Sequence, residues 1–191
     1  GYGIGEKNKL CTEEPPLKPI SHYGVTKVKA EKEIQKIKNF ISLRLATVFG
    51  LSGRIRTDLL VNDFTYRAVF DGKIELFEPN FKRNYIHVKD VARVIMFSIE
   101  NFRKLRSNIF NIGLETANLS KIALCREIKK HHTKLKININ EFTKDPDQRD
   151  YIVSNKKILS TGWKPRYSIE YGIKELIKCY KSLKISRNSN I

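Results

Sequence analysis

Ser21-His22-Tyr23-Gly24-Val25-Thr26-Lys27-Val28-Lys29-Ala30 opens the stretch that decides how this chain folds. Tyr23, Lys27, Ala30, Ile34 and Ile37 recur at alternating spacings of four and three, the period of one helix face, which predicts a helix from Tyr23 to Asn39. Before it, residues 1–22 carry Pro15, Pro16 and Pro19 and no helical or strand period, so they read as a loop. After it, Phe40 to Thr47 is apolar and β-branched enough for a buried strand, broken into a loop by Gly50 and Gly53.

Working outward, the alternation of helix and strand continues. A second helix is expected from Asp58 to Phe70, capped by Thr57 or Asp58 and stopped at Asp71-Gly72. Short strands follow at Ile74 to Phe77 and near Tyr85 to Val88, then a helix from Val91 to about Asn101 capped by Asp90. Ser107 to Ile112 reads as a strand, Asn118 as the cap of a helix running to about His131, and Lys134 to Asn140 as an alternating strand. A polar loop from Thr143 to Tyr151, a short helix near Asn155 to Ser160 and a last helix opened by Ser168 complete the chain, with a frayed polar tail. Strands alternating with helices make this an α/β fold, less regular after Gly50 than before it.

The composition is globular, with 40% hydrophobic and 30% charged residues. No apolar run approaches a membrane span and no segment has the layout of a signal peptide, so a soluble cytoplasmic protein is expected. Cys11, Cys125 and Cys179 match no metal or redox spacing, and Cys125 and Cys179 read as quiet core thiols. His131-His132 sits at a helix end, where a cationic side chain favours the dipole, and builds no zinc site. The net charge of +17 raises nucleic-acid binding. The positive charge is spread along the whole chain on what read as solvated helix faces, so a nucleic-acid partner is disfavoured; the same basic surface would draw in an anionic nucleotide substrate.

Gly1-Tyr2-Gly3-Ile4-Gly5 has the look of a phosphate loop, yet no strand precedes it and a proline-rich loop follows, so it reads as chance or a turn. Tyr23 and Lys27 lie four apart on one helix face, and an ammonium beside a phenol favours the phenolate that a general base needs. The spacing alone is common here: Tyr85–Lys89 and Tyr180–Lys184 repeat it. Only Tyr23–Lys27 stands at the start of a helix, after a proline-rich loop and before a buried strand.

Those residues carry a resemblance. Pro19-Ile20-Ser21-His22-Tyr23-Gly24-Val25-Thr26-Lys27 followed by Ala30-Glu31 resembles the active-site helix of the extended short-chain dehydrogenases/reductases, the NAD-dependent epimerases and dehydratases of nucleotide sugars. Leu43 to Gly50 is similar to that family's next strand and cofactor-side loop. Arg83-Asn84-Tyr85-Ile86-His87-Val88-Lys89-Asp90-Val91-Ala92 resembles its R-x-Y-I-H-V-x-D-x-A segment, and Gly162-Trp163-Lys164-Pro165 its C-terminal end. The resemblance implies the C-terminal part of a Rossmann-type enzyme with a smaller mixed α/β substrate lobe. Residues 1–50 would then be the remaining part of the cofactor domain with the catalytic helix, 51–185 mostly the substrate lobe and 186–191 a tail. The glycine-rich strand–turn–helix and a catalytic Ser or Thr would precede Gly1, so a truncated chain, inactive by itself, is expected.

By position, the resemblance implies roles. Tyr23 would be the general acid/base on a sugar hydroxyl, and Lys27 would hold the nicotinamide ribose and activate the tyrosine. Thr47 and Val48 would line the nicotinamide pocket. Asp58 and Leu59 would start the helix facing the diphosphate, Phe77 would flank the base, and Arg83 and Arg149 would pair with the diphosphate. NAD is the cofactor implied, NADP the alternative; the substrate is a nucleotide-diphosphate sugar, oxidised to and returned from a keto intermediate; the full-length enzyme would be a homodimer paired through the Tyr23 helix, with an apolar edge at Val25 and Val28. An NADPH-dependent 4-keto-sugar reductase is the enzymatic alternative, and a basic nucleic-acid-binding or non-catalytic fragment the alternative of another class. Without the resemblance, Arg83 and Arg149 read as surface arginines, Phe77 as core, Asp90 as a helix cap and His87 as a packing residue.

Overall fold

The computed structural model describes residues 10–14, 16–140 and 150–182. Its first long element is the expected helix, α1 (His22–Gln35), opened by Ser21, whose Oγ accepts from the Gly24 N–H at 3.1 Å. The helix ends before Asn39, which takes a left-handed backbone (φ 68°) and turns the chain into the next strand.

That strand is broken where a single one is expected. β2 (Ile41–Leu45) pairs in parallel with β6 (Asn108–Ile112), while β3 (Thr47–Phe49) pairs in parallel with β5 (Lys82–His87). Ala46 is the joint: its N–H still donates to Ile112 O at 2.8 Å, and the next residue has changed partner. β7 (Asn118–Ser120) adds to the other edge of β5 in antiparallel sense. Two short parallel pairs complete the strands, β1 (Leu10–Cys11) with β9 (Ile152–Val153) and β4 (Lys73–Leu76) with β8 (Lys136–Ile139).

The remaining helices are α2 (Leu60–Phe70), α3 (Val88–Glu100), α4 (Phe102–Leu105), α5 (Lys121–His131), α6 (Lys156–Leu159) and α7 (Ile169–Ser182). α2 packs on α5 and α7, where the Tyr66 and Tyr180 rings meet edge to face at 5.6 Å and the Tyr180 hydroxyl donates to Asn62 O at 3.3 Å. One continuous core runs through Phe49, Ile86, Val94, Leu124, Ile128, Ile173 and Leu176. Cys125 and Cys179 are buried and free, and burial pushes the Cys125 thiol up to about 12.

Three expected caps fall on other residues, each for a tertiary reason. Asp58 is held by Arg56 at 2.6 and 2.7 Å, so α2 starts after Leu59 with no side-chain cap. Asp90 lies inside α3: it accepts from Arg93 and from the Arg166 and Tyr167 N–H groups, while His87 caps the helix through Nδ1, accepting from the Lys89 N–H at 3.2 Å. Asn118 is occupied by Val153 on β9, and Ser120 caps α5 instead. Ser168 does cap α7, accepting from the Tyr171 N–H at 3.1 Å. Among the described residues no helix is long and apolar enough to cross a membrane, and no cluster of His, Cys, Asp and Glu could hold a metal.

Candidate active site

The rotational setting of α1 decides what it offers. Gly24, Val28 and Glu31 point inward, and the face of Tyr23, Lys27, Ala30 and Ile34 is left exposed. Val28 is buried within the chain and Val25 half-buried, so of the expected apolar edge at Val25 and Val28 only Val25 is left partly exposed. Tyr23 is 64% exposed, and the Lys27 ammonium sits 5.3 Å from its ring centroid. A phenol and an ammonium thus stand together in the first turns of α1, open to a ligand.

The other two Tyr-x-x-x-Lys pairs are not equivalent. Tyr85 is fully buried, its hydroxyl has no hydrogen-bond partner among the described residues, and burial pushes it far above the usual phenol range. Its Lys89 is engaged elsewhere, donating to Glu175 at 2.5 Å and to the Tyr171 hydroxyl at 3.1 Å. Tyr180 is buried against Tyr66, and Lys184 lies outside the described residues.

Thr47 and Val48 are half-buried on β3, in register with Tyr85 and Ile86 of β5. Arg83 lies two residues before Tyr85 on the same strand, hence on the same side as Tyr85 and Thr47. It is no surface arginine: it is 2% exposed, donates Nη1 to Lys82 O at 3.0 Å and lies 5.7 Å from the Tyr151 ring centroid. Phe77 follows β4, half-buried, and its carbonyl accepts from Lys121 Nζ at 3.0 Å. Asp58 and Leu59 precede α2; the hydrogen bond from Arg56 holds the Asp58 carboxyl below its usual range, and Asp58 is exposed. Arg149 lies outside the described residues.

Beneath β3 a polar cluster escaped sequence reasoning. Glu175 of α7 accepts from the Leu51 N–H at 3.2 Å, faces His87 Nε2 at 3.2 Å and binds Lys89. Because Nδ1 of His87 is an acceptor, the neutral ring carries its proton on Nε2, aimed at Glu175. Burial holds His87 below its ordinary value. Burial opposes ionisation of Glu175, but the hydrogen bonds from Lys89 and Leu51 outweigh it and keep that carboxyl low. The cluster fastens α7 to the loop that leaves β3. Its only trace in the sequence is a Glu at the edge of the buried stripe of Gly172, Ile173 and Leu176.

The family model described as "NAD dependent epimerase/dehydratase family" matches residues 2–113, more than half of the chain. The chain belongs to the NAD-dependent epimerase/dehydratase family. Among curated relatives, the UDP-glucose 4-epimerase of Lactobacillus helveticus is 29% identical over 87% of this chain and 56% of its own length. The dTDP-4-dehydro-6-deoxyglucose reductase of Escherichia coli is 27% identical over 93% of this chain and 58% of its own length. Among solved structures, the UDP-glucose 4-epimerase of Thermotoga maritima, solved with UDP-glucose, superimposes with a TM-score of 0.80 at 25% identity, covering 95% of this chain and 60% of that one. The dTDP-glucose 4,6-dehydratase of Bacillus anthracis, in complex with NAD, gives a TM-score of 0.78 at 23% identity over 96% of this chain and 59% of that one. This epimerase/dehydratase chain therefore has the α/β, Rossmann-type fold of those enzymes and spans about half the length of the curated relatives it matches.

Proposed function

We propose that the protein acts as a nucleotide-sugar epimerase or dehydratase with NAD, and that Tyr23 and Lys27 are its catalytic pair. The observation that carries this reading is the exposed Tyr23 phenol with the Lys27 ammonium 5.3 Å from its ring. The residues fit the cofactor: a phenol and an ammonium on an open helix face suit the nicotinamide ribose, and the half-buried Thr47 and Val48 suit the ring beside it. When bound, NAD supplies the hydride acceptor and donor. Tyr23 takes the proton of the sugar hydroxyl as the carbonyl forms and returns it in the reverse step, while Lys27 orients the ribose.

On the substrate side, the buried Arg83 is assigned to the diphosphate and Phe77 to the base, with Arg149, Asp58 and Leu59 as further candidates in the same lobe. Residues 1–50 belong to the cofactor lobe in this reading and residues 51–185 mostly to the substrate lobe. The full-length enzyme is a homodimer that pairs through α1 and the turn that follows it, where the exposed Ile34 and Ile37 offer apolar surface. The likeness to the E. coli reductase favours, as second reading, a 4-keto-sugar reductase using NADPH.

Tyr23→Phe in the full-length enzyme tests the proposal. Turnover of a nucleotide sugar should fall about a hundred- to ten-thousand-fold, with substrate affinity kept. Unchanged turnover would remove Tyr23 from the mechanism. Product analysis with NAD and NADPH separates epimerase, dehydratase and reductase.

A further inference from the structure

Lys121 is 1% exposed and among the largest side chains fully inside the protein. An ammonium is costly to bury, so what its head group holds matters. Nζ donates to Phe77 O at 3.0 Å and lies 5.6 Å from the Phe81 ring centroid. The backbone of the same helix start holds the rest of that segment: the Lys121 N–H donates to Phe81 O at 3.1 Å and the Ile122 N–H to Pro79 O at 2.9 Å. Between them Glu78 takes a left-handed backbone (φ 50°), unfavourable for a residue with a side chain, and its carbonyl accepts from the Phe81 N–H at 3.1 Å. The carbonyls of Phe77, Pro79 and Phe81 are thus all taken by Lys121 and Ile122, and these bonds hold the turn in its strained form. Arg83 belongs to the same unit, because Lys82 pairs with Ser120 and Arg83 with Leu119 across β5 and β7.

We propose that Lys121 is a positioning residue for nucleobase recognition: by fixing the main chain from Phe77 to Phe81, it sets which base the segment accepts. This rests on the reading of Phe77 and Arg83 as nucleotide-binding residues. The Lys121 ammonium holds only the Phe77 end of residues 77–81, whereas Phe81 and the strand that bears Arg83 are held by backbone bonds to Lys121 and β7, so losing the ammonium shifts the base site and leaves the diphosphate contact on β5 in place. Without the ammonium, the Phe77 carbonyl loses its donor while the Pro79 and Phe81 carbonyls keep their backbone donors, so the segment is released at its Phe77 end, ahead of the turn at Glu78.

The test is calorimetric titration of the full-length protein with UDP, dTDP, ADP and GDP, comparing wild type with Lys121→Met, which keeps the apolar stem. Wild type is expected to discriminate among the four. In Lys121→Met the ratio between the weakest and tightest binder should shrink about tenfold, the weight of one charged hydrogen bond, through loss of affinity for the preferred base alone. A common loss for all four, an unchanged ratio, or no discrimination in wild type would overturn the assignment of Lys121. Failure of wild type to bind any of the four would instead sink the nucleotide-sugar reading itself. Should Lys121→Met not fold, amide exchange in wild type decides: slower exchange at Phe81 with the tightest diphosphate than with the weakest supports the proposal, and equal exchange overturns it.

Discussion

Glu31 and Arg44 form a two-point ion pair beneath α1, with Arg44 Nη2 to Glu31 Oε1 at 2.6 Å and Nε to Oε2 at 2.9 Å. Both residues are buried. Ser42 also donates to Glu31 at 2.9 Å, and Arg44 Nη1 donates to Glu13 O at 3.0 Å. The pair joins the helix to β2 and fixes its rotation, with Glu31 on the buried face beside Gly24 and Val28 and with Tyr23 and Lys27 left exposed. Two charges buried together break even at best against apolar packing, but removing one leaves the other stranded.

Glu31→Ala should therefore cost about 3–5 kcal/mol of stability, read from the urea midpoint. Glu31→Leu combined with Arg44→Met should cost much less. A loss below about 1 kcal/mol for Glu31→Ala, the range of an exposed pair, would show that the pair does not hold the helix.

Lys27→Met should weaken cofactor binding by the full-length enzyme, because the ammonium assigned to the ribose is lost. Tyr85→Phe, by contrast, removes a buried hydroxyl that has no hydrogen-bond partner among the described residues, so it should leave turnover unchanged and stability equal or slightly higher. If Tyr85→Phe abolished turnover while Tyr23→Phe did not, the wrong pair would have been chosen.

Acid should destabilise the fold in two steps. His87 and Glu175 both titrate below their ordinary values in the folded protein. For each, the unfolded chain binds protons first, so the stabilisation is complete above the unfolded value and is lost as pH falls toward the folded one. The His87 step begins below about 6.5 and the Glu175 step below about 4.3, their unfolded values. Urea midpoints measured from about pH 8 down to about pH 2.5, spanning both unfolded values, should show the decline, and His87→Gln should flatten the step around the ordinary imidazole value. A midpoint that rises on acidification would contradict the buried neutral imidazole.

Gly50 should not tolerate a side chain. Its φ is +108°, and a Cβ there would lie 2.4 Å from His87 Nε2. Gly50→Ala combines a strained backbone with an overpacked core, about 2–4 kcal/mol together. It should also push His87 off Glu175 and so alter the acid limb just described. An alanine variant with wild-type melting temperature would mean that the loop after β3 is free to move.

How much of this was legible in the sequence can be argued residue by residue. The period of Tyr23, Lys27, Ala30 and Ile34 located helix α1, but not which of its faces is buried: a helix of 14 residues, about four turns, carries several three-and-four stripes, and the inward one was chosen by Glu31 finding Arg44. The apolar run of residues 40–47 marked strand, but the switch of partner at Ala46 depends on where β5 and β6 end. Asp58, Asp90 and Asn118 are good capping residues that found better partners in Arg56, the Arg166 and Tyr167 N–H groups, and Val153.

The sequence by itself determined what depends on near neighbours: the α/β alternation, the place of the longer helices, the Tyr23–Lys27 spacing and the ordered motifs that mark the family, but not the two- and three-residue strands β1, β3, β7 and β9. Only the tertiary structure decided which polar groups sit inside and what they hold. Glu175 meets His87 across 88 positions of chain, and Lys121 meets Phe77 across 44. Propensity and periodicity act over a turn or two of backbone, whereas the environment of a buried charge is set by elements that become neighbours only when the chain has folded.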